Sequence, residues 1–368
     1  MLRYALLVLI QLRFFVSGAG EKTHFWSVAD GFPQYKNFGQ ISAVSVDSAD
    51  NVYVFHRGDR VWDYSTFSLN HIYQGRARGP IPEETIVVLS PSDGALKKKA
   101  GARIFYMPHG LTVDYMNNVW VTDVALHQVF KFPPLNFTQN SGLSQPLLTL
   151  GEPFVPGNDL KHFCKPTDVA VDKTTGDFYV SDGYCNSRII KYDKFGKKLL
   201  NWGRSSQSPT NEYGLNVPHA LALSLDQRLI FVADRENYRT LSYKMETGNF
   251  VHSYLDKRPI YSVTYSSVGG SYLFTLSNAS YQYPGIVTVY DIKSNEVVGT
   301  FPSSFGFSQP HDIAVSSDGK SCYVVELKPY KVWKFRLGKF KLYIYFICII
   351  CFRNAGILKS LLRSQFHV

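Results

Sequence analysis

The chain has 368 residues, of which 15% are aromatic, and a formal net charge of +10. This length allows one large domain with a sizeable core. The charge does not indicate a nucleic-acid-binding protein, because eight of the basic residues and no acidic residue lie in segments 1–19 and 336–368. Without those eight cations the net charge falls from +10 to +2, which excludes a broadly basic surface.

The amino-terminal segment has the pattern of a secretory signal peptide. Arg3 precedes the apolar run ALLVLI, and small residues follow at Ser17-Gly18-Ala19-Gly20. We therefore expect segment 1–19 to be a signal peptide cleaved near Ala19. The mature protein should be secreted into an environment in which disulfides persist.

A three-strand pattern recurs along the rest of the chain. At 108–132 it reads PHGLTVDYMNNVWVTDVALHQVFKF. LTVD alternates apolar and polar residues as a first strand, Asn117-Asn118 marks a turn, and VWVTD and QVFKF are the second and third strands. Further copies lie at 166–192, 218–243 and 310–335, with weaker copies at 41–64 and 259–291. Six units without helical patterns between them predict an all-β fold, a six-bladed β-propeller over residues 20–340. A solenoid is the alternative, but the long, polar, irregular spacers favour the closed ring.

The cysteines and glycosylation motifs fit a secreted protein. Cys164 and Cys185 flank the first two strands of the third unit and are the candidate disulfide pair, whereas Cys322 is expected to be buried and unpaired. Asn136 and Asn278 each begin an N-x-[ST] motif and are candidate glycosylation sites.

The carboxyl-terminal segment 341–368 has no assigned role. Residues 342–352 (LYIYFICIICF) are continuously apolar, but a membrane span needs about 20 such residues. The run could be a closing strand, an interfacial anchor or an error in the predicted protein. We expect no membrane span.

Three histidines stand where the first strand of a unit begins. His109, His219 and His311 belong to units two, four and six, so alternate blades would place them around the central channel. Three imidazoles with a free fourth position are the ligand set of a catalytic zinc ion. Alternatively, Pro-His is only a repeat-consensus dipeptide, but the odd units lack the histidine, with Thr167 in unit three.

The ends of the second strands should lie at the same edge of the sheets, because consecutive antiparallel strands return to that edge. Arg57, Tyr184 and Arg235 follow the second strands of units one, three and four. Two arginines beside a metal indicate an anionic substrate, and a tyrosine there could lose its proton and serve as a base. Alternatively, Asp234-Arg235 is only a surface salt bridge, and Tyr184 is one tyrosine among 24.

At these residues the sequence resembles the peptidyl-α-hydroxyglycine α-amidating lyases, over roughly residues 35–335. The matching stretches include FHRGDRVWD, VTDVALHQVFKF, SDGYCNSRI, VPHALAL, VADREN and PHDIAVS. The resemblance implies an NHL-repeat propeller that splits peptides ending in α-hydroxyglycine into the peptide amide and glyoxylate, the second step of peptide amidation.

The resemblance also implies roles for individual residues. Zinc would be held by His109, His219 and His311. Tyr184 would be the base that takes the hydroxyl proton, with Arg57 supporting it and Arg235 binding the substrate. A structural calcium ion would be held by the side chain of Asp312 and the carbonyl groups of Val44 and Leu111. The Cys164–Cys185 pair would match a family disulfide that tethers the loop carrying Tyr184.

The sequence departs from the family at several points. The family's second disulfide has Phe231 and Ser242 at its positions, and its methionine before the last zinc ligand is Gln309. No copper-dependent monooxygenase domain fits in this chain, so a separate monooxygenase partner is implied. Two alternatives remain open, namely a non-catalytic secreted NHL propeller that binds partners and a calcium-dependent lactonase.

Overall fold

The computed structural model describes residues 26–338 except 139–141, 209, 281 and 303–304. Six antiparallel four-stranded sheets account for nearly all of its regular structure, which confirms the predicted six-bladed β-propeller. The expected signal peptide 1–19 and the tail 341–368 lie outside the described residues. Among the described residues, no helix is long and apolar enough to cross a membrane.

The strands follow the blade order, starting with β1 (Trp26–Val28), which belongs to the last blade. Blades one to three contain β2–β5 (Ile41–Val46, Val52–His56, Ile86–Leu89, Leu96–Ala100), β6–β9 (Pro108–Val113, Val119–Asp123, Gln128–Phe132, Leu148–Leu150) and β10–β13 (Asp168–Val171, Phe178–Asp182, Arg188–Tyr192, Lys198–Trp202). A short parallel pair follows, formed by β14 (Arg204–Ser205) and β15 (Gly214–Leu215). Blades four to six contain β16–β19 (Pro218–Ser224, Leu229–Asp234, Arg239–Lys244, Phe250–Leu255), β20–β23 (Ile260–Ser266, Tyr272–Ser277, Ile286–Asp291, Glu296–Phe301) and β24–β26 (Pro310–Val315, Ser321–Glu326, Val332–Leu337). Two short 3-10 helices occupy Arg76–Arg78 and Arg235–Asn237.

The ring is closed by a strand from the amino-terminal side of the chain. β1 pairs antiparallel with β26, with Trp26 opposite Leu337 and Val28 opposite Phe335. The Trp26 ring stacks on Phe301 of blade five at 5.2 Å. Blade six is therefore built from both ends of the propeller, which covers an otherwise open sheet edge. The sequence pattern did not reveal this, because β1 is only three residues long.

The second strand of each blade is the most deeply buried. β3, β7, β11, β17 and β21 are buried along their whole length, because each lies between the two neighbouring blades. Their continuous apolar character is typical of strands covered on both faces. The core is thus distributed between the blades, and the innermost strands β2, β6, β10, β16, β20 and β24 contact one another in turn around the central channel.

Candidate metal centre and catalytic site

A β-bulge opens the innermost strand of most blades at the predicted site edge. The pairing of first and second strands shifts register at Ile41/Ala43, Pro108/Leu111, Pro218/Leu221, Ile260/Ser262 and Pro310/Asp312. The residues in these bulges include His109, His219 and His311. A bulge redirects a side chain out of the ordinary alternation. This feature, which the sequence did not reveal, presents each histidine at the edge of its sheet.

The three histidines lie together on the channel axis, as the alternating units predicted. Their ring centroids are 4.8 Å (His109–His219), 4.8 Å (His219–His311) and 5.0 Å (His109–His311) apart, so the rings form a nearly regular triangle. One ring nitrogen of each lies within 4.8 Å of the others. All three side chains are buried, with exposed fractions of 1%, 2% and 3% for His109, His219 and His311.

The outer nitrogen of each imidazole is hydrogen-bonded to a backbone carbonyl of the next blade. Nδ1 of His109 lies 2.8 Å from the Thr167 oxygen. Nδ1 of His219 lies 2.6 Å from the Tyr261 oxygen, and Nδ1 of His311 lies 2.6 Å from the Ser42 oxygen. A carbonyl only accepts, so Nδ1 carries the proton and Nε2 keeps its lone pair. Such partners fix the tautomer and orientation that a metal ligand needs.

Burial keeps these imidazoles neutral. Desolvation lowers the pKa of His311 to about 3 and holds the pKa values of His109 and His219 well below their usual range. For His109 and His219, the neighbouring His311 adds to this effect. The cluster is thus a set of three neutral nitrogen donors, which is the form that binds a transition-metal ion.

Tyr184 reaches this triangle from the turn after β11. Its hydroxyl oxygen lies 2.9 Å from Nε2 of His109 and 3.1 Å from Nε2 of His219. Burial raises the pKa of Tyr184 above its usual value, although Arg235 and Arg57 act in the opposite direction. The two arginines alone therefore do not turn Tyr184 into the low-pKa base that the sequence suggested.

The two predicted arginines flank Tyr184 in different ways. Arg235 donates from Nη1 to the Tyr184 hydroxyl at 3.4 Å, and its guanidinium lies 5.2 Å from that ring. Arg57 is 1% exposed and donates from Nε to the carbonyl of Pro108 at 2.9 Å. Burial lowers the pKa of Arg57 to about 10, so this guanidinium remains a cation at neutral pH. Both arginines bring positive charge to the tyrosine.

Arg235 is not the salt-bridge partner of Asp234. Asp234 instead binds Nε of Arg239 at 2.8 Å, while Arg235 pairs with the half-exposed Glu236 at 2.7 Å. The surface-salt-bridge interpretation of Asp234-Arg235 is thus wrong.

Buried carboxylates at the ends of the second strands hold the site loops in place, and the sequence analysis missed this role. Asp123 accepts hydrogen bonds from the backbone of Tyr106 and Met107, just before His109. Glu326 does the same for Ser308 and Gln309, just before His311. Asp182 and Asp234 accept from the backbone of Cys164 and Asn216 at the equivalent positions. Each bond joins the entrance of a first strand to the end of the second.

A long loop between β3 and β4 forms an aromatic wall beside the site. Trp62, on this loop, has its ring centroid 4.7 Å from that of Tyr184 and 6.1 Å from that of His109. The guanidinium of Arg57 lies 5.4 Å from the Trp62 ring. Phe67 contacts Trp62 at 5.2 Å and lies beneath the Lys165 ammonium at 4.5 Å. Trp62 and Lys165 are site residues that the sequence analysis missed, since neither occupies a position equivalent to the three histidines or to the ends of the second strands.

The residues predicted to hold calcium line one cavity in the central channel. Val44, Leu111 and Asp312 surround a space of about 340 Å³, together with a second acid, Asp168. Asp312 accepts from the backbone of Val44 at 2.8 Å, and burial raises its pKa to about 6. Burial and the charge of Asp312 hold the pKa of Asp168 well above its usual range. Two buried carboxyl groups that repel each other form a set of hard oxygen donors suited to a divalent cation.

The cysteines are arranged as expected. Cys164 and Cys185 form a disulfide with Cα atoms 5.4 Å apart, and Cys322 is free and buried. At the second family disulfide position, Phe231 and Ser242 are directly opposite each other on β17 and β18. Gln309 is exposed at the site edge.

The two candidate glycosylation residues are both on the surface. Asn136 is exposed and Asn278 is half-buried.

Comparisons with known proteins agree with this architecture. A family model described as NHL repeat matches residues 105–132 and 163–192. The chain is 42% identical over 316 residues to peptidyl-alpha-hydroxyglycine alpha-amidating lyase 1 of Drosophila melanogaster, covering 81% of this chain and 57% of the relative. It is 39% identical to lyase 2 of the same organism, and this alignment covers 82% of this chain and 73% of the relative. It is also 42% identical to peptidyl-glycine alpha-amidating monooxygenase A of Xenopus laevis. That alignment covers 82% of this chain but only 32% of the relative.

Solved structures show the same fold at low sequence identity. A streptogramin B lyase superimposes with a TM-score of 0.54 and 11% identity, covering 86% of this chain and 98% of that chain. A gluconolactonase of Xanthomonas campestris superimposes with a TM-score of 0.55 and 11% identity, covering 83% and 89%. At this identity the likeness shows the fold alone.

Proposed function

This chain belongs to the peptidyl-α-hydroxyglycine α-amidating lyase family, and we propose that it splits peptides ending in α-hydroxyglycine into the peptide amide and glyoxylate. The observation that carries the proposal is the Tyr184 hydroxyl, held within 3.1 Å of two imidazole nitrogens of the buried histidine triangle. In this reaction the hydroxyl proton leaves the carbinolamide, a C=O bond forms, and the C–N bond breaks as nitrogen takes up a proton.

The donor set supports zinc as the metal of the triangle. His109, His219 and His311 would hold a zinc ion through neutral Nε2 atoms whose tautomers are fixed, and a substrate oxygen would complete the set of ligands. When bound there, a zinc ion supplies Lewis-acid polarisation of that oxygen.

Tyr184 is the group of the chain placed to take the hydroxyl proton. Its oxygen lies within 3.1 Å of Nε2 of His109 and of His219, so it would lie beside a substrate oxygen held by a metal there. Because burial raises the pKa of Tyr184, its activity as a base depends on positive charge from Arg235, Arg57 and the metal. Arg235, whose Nη1 lies 3.4 Å from the Tyr184 hydroxyl, would bind the substrate carboxylate.

The remaining assignments follow from the same family membership. Calcium in the central channel would be held by Asp312 with the carbonyls of Val44 and Leu111 and would stabilise the ring. The protein would be secreted and glycosylated at Asn136 and Asn278. Its substrates would be supplied by a separate copper-dependent peptidylglycine monooxygenase.

The decisive test is a glyoxylate assay on the secreted protein with a short peptide ending in α-hydroxyglycine. We expect glyoxylate to form, to disappear after chelation, to return with zinc, and to be absent with His219→Ala. A lactone substrate is assayed in parallel. Folded, zinc-loaded protein that releases no glyoxylate contradicts the proposal, and lactone hydrolysis in its place identifies the lactonase alternative.

A further inference from the structure

A recess with two lobes, rich in arginine, lies between the loop that joins β3 to β4 and the segment that joins β5 to β6. One lobe, of about 530 Å³, is lined by Asp59, Arg60, Arg78 and Arg103 among others. The second, of about 250 Å³, shares Arg60 and Arg78 and reaches Met107. Since Arg60 and Arg78 line both lobes, we describe them together as the arginine recess. None of these arginines contributes to the site described above.

Arg60 is the buried centre of the recess. It is only 3% exposed and donates to the carboxylate of Asp59 at 2.9 Å and to the Gly79 carbonyl at 3.1 Å. Its Nε atom is buried and has no acceptor among the described residues. Because this Nε is inaccessible, an anion in the recess would contact the more exposed guanidinium groups of Arg78 and Arg103.

The positive charge of the recess exceeds its negative charge. Arg60 and Arg78 share a single carboxylate, that of Asp59, with Arg78 at 2.8 Å. Asp63 lines the smaller lobe, but its carboxylate accepts from Ser65 of its own loop. The exposed Arg103 has no ion pair among the described residues. The larger lobe therefore carries three guanidinium groups and one carboxylate.

The recess adjoins the metal centre through two short segments. The Arg60 amide donates to the carbonyl of Arg57 at 2.8 Å. On the other side, Met107 lines the smaller lobe and lies two residues before His109. Two extended residues span about 7 Å. A peptide whose terminal residue lies at the histidines would thus reach the recess within a few residues.

We propose that the arginine recess is an anion-binding subsite for a carboxylate or phosphate group, and that its ligand is an acidic side chain of the substrate peptide a few residues before the hydroxyglycine. This inference rests on the proposed lyase function for the identity of the peptide. Free phosphate offers the same oxyanion chemistry to the guanidinium groups. The experiment therefore has one arm for each source.

The first arm compares peptides ending in α-hydroxyglycine that carry one glutamate, or one glutamine, at each of the four preceding positions. We expect KM to be about 3- to 10-fold lower for glutamate than for glutamine at one position, with kcat unchanged. A tenfold difference in KM corresponds to about 1.4 kcal/mol of binding free energy. The preference should weaken with salt. The second arm measures the rise in unfolding temperature caused by inorganic phosphate, which needs no catalysis.

The variants are Arg78→Gln, Arg103→Gln and their combination, which spare the buried Arg60. Arg204→Gln, an exposed arginine outside the recess, is the matched control. We expect the double variant to abolish the glutamate preference and the phosphate shift while still cleaving the glutamine peptides normally. Phosphate stabilisation without a glutamate preference identifies a free anion as the ligand.

Equal KM values for every peptide pair together with no phosphate shift in the wild-type protein overturn the proposal. Effects that persist in the double variant, or are equally lost in Arg204→Gln, overturn it as well. If no peptide releases glyoxylate, the lyase function fails separately, and the phosphate arm still decides on the subsite.

Discussion

The imidazole of His311 in blade six donates from Nδ1 to the carbonyl oxygen of Ser42 in blade one, 2.6 Å away. The same bond joins His109 to Thr167 and His219 to Tyr261, so histidines of even blades bind carbonyls of odd blades. The orientation of each of these imidazoles thus depends on the neighbouring blade. Closure of the ring and formation of the histidine triangle are therefore parts of one structural arrangement.

We expect His311→Ala to lose zinc and lyase activity without unfolding. Removal of one of three nitrogen donors leaves two, and loss even of an outer hydrogen-bond partner typically lowers metal affinity about 10- to 100-fold. Zinc per protein after dialysis against a competing chelator measures this effect, and circular dichroism checks the fold. Full zinc occupancy in the variant would show that the triangle is not the metal site. Gln309→Ala, an exposed neighbour, is the matched control.

We expect Tyr184→Phe to lower kcat about 10²- to 10⁴-fold, the usual contribution of a positioned acid or base. The substitution keeps the ring that contacts Trp62 and removes only the hydroxyl near His109 and His219. Zinc content should be unchanged, since the imidazoles remain. Steady-state kinetics and metal analysis on the same preparation test both statements. A variant with wild-type kcat would exclude Tyr184 as the base.

The Cys164–Cys185 disulfide should contribute to both stability and activity. It closes a loop with a sequence separation of 21, and Tyr184 lies next to Cys185. Replacing both cysteines with serine should cost about 2–5 kcal/mol in the free energy of unfolding. It should also lower kcat, because the turn that carries Tyr184 loses its tether. Denaturant unfolding and kinetics measure these changes, and unchanged kcat would mean that Asp182 and its hydrogen bonds suffice to hold the turn.

Calcium should stabilise the wild-type protein more than Asp312→Asn. Asn can still accept the Val44 N–H bond through its side-chain oxygen, but it removes a negative charge from the channel cavity. The unfolding temperature is compared with calcium and with a calcium chelator. We expect a rise with calcium only in the wild-type protein. An equal rise in both proteins would place the calcium site elsewhere.

His127 should make the protein less stable as the pH falls. Burial, together with the nearby Lys165 ammonium, lowers the pKa of this imidazole to about 4 in the folded protein, and its Nδ1 accepts the Lys165 N–H at 3.0 Å. In the unfolded chain the pKa returns to about 6.5, so between these values the unfolded state binds more protons. The contribution of neutral His127 to the free energy of unfolding is fully present above about pH 6.5 and is lost as the pH falls towards 4.

This loss is at most about 3 kcal/mol, since each pKa unit is worth about 1.36 kcal/mol. His127→Asn, which keeps an acceptor for the Lys165 N–H, should reduce the difference in unfolding free energy between pH 7 and pH 4.5. Denaturant unfolding of both proteins at the two pH values tests this. An identical pH dependence in wild type and variant would show that His127 is not the titrating group.

The sequence alone determined the fold class and the three histidines that meet at the site. Repeats of alternating strands with turn residues specify a local structure that is independent of the rest of the chain, so six blades could be counted. His109, His219 and His311 stand at equivalent positions of alternate repeats, and the ring symmetry then places them around one axis. Their proximity follows from repetition and needs no knowledge of side-chain packing.

Tertiary structure alone decided the features that depend on contacts between distant segments. The partner of β1 is β26, more than 300 residues later, and a three-residue strand has no pattern that identifies it. The bulges depend on how two strands pair, and the wall formed by Trp62 depends on how a long, non-repeated loop folds over the site. The raised pKa of Tyr184 likewise results from burial, which the sequence does not report. Periodic patterns encode strands, whereas closure, tautomers and electrostatics arise only when the blades meet.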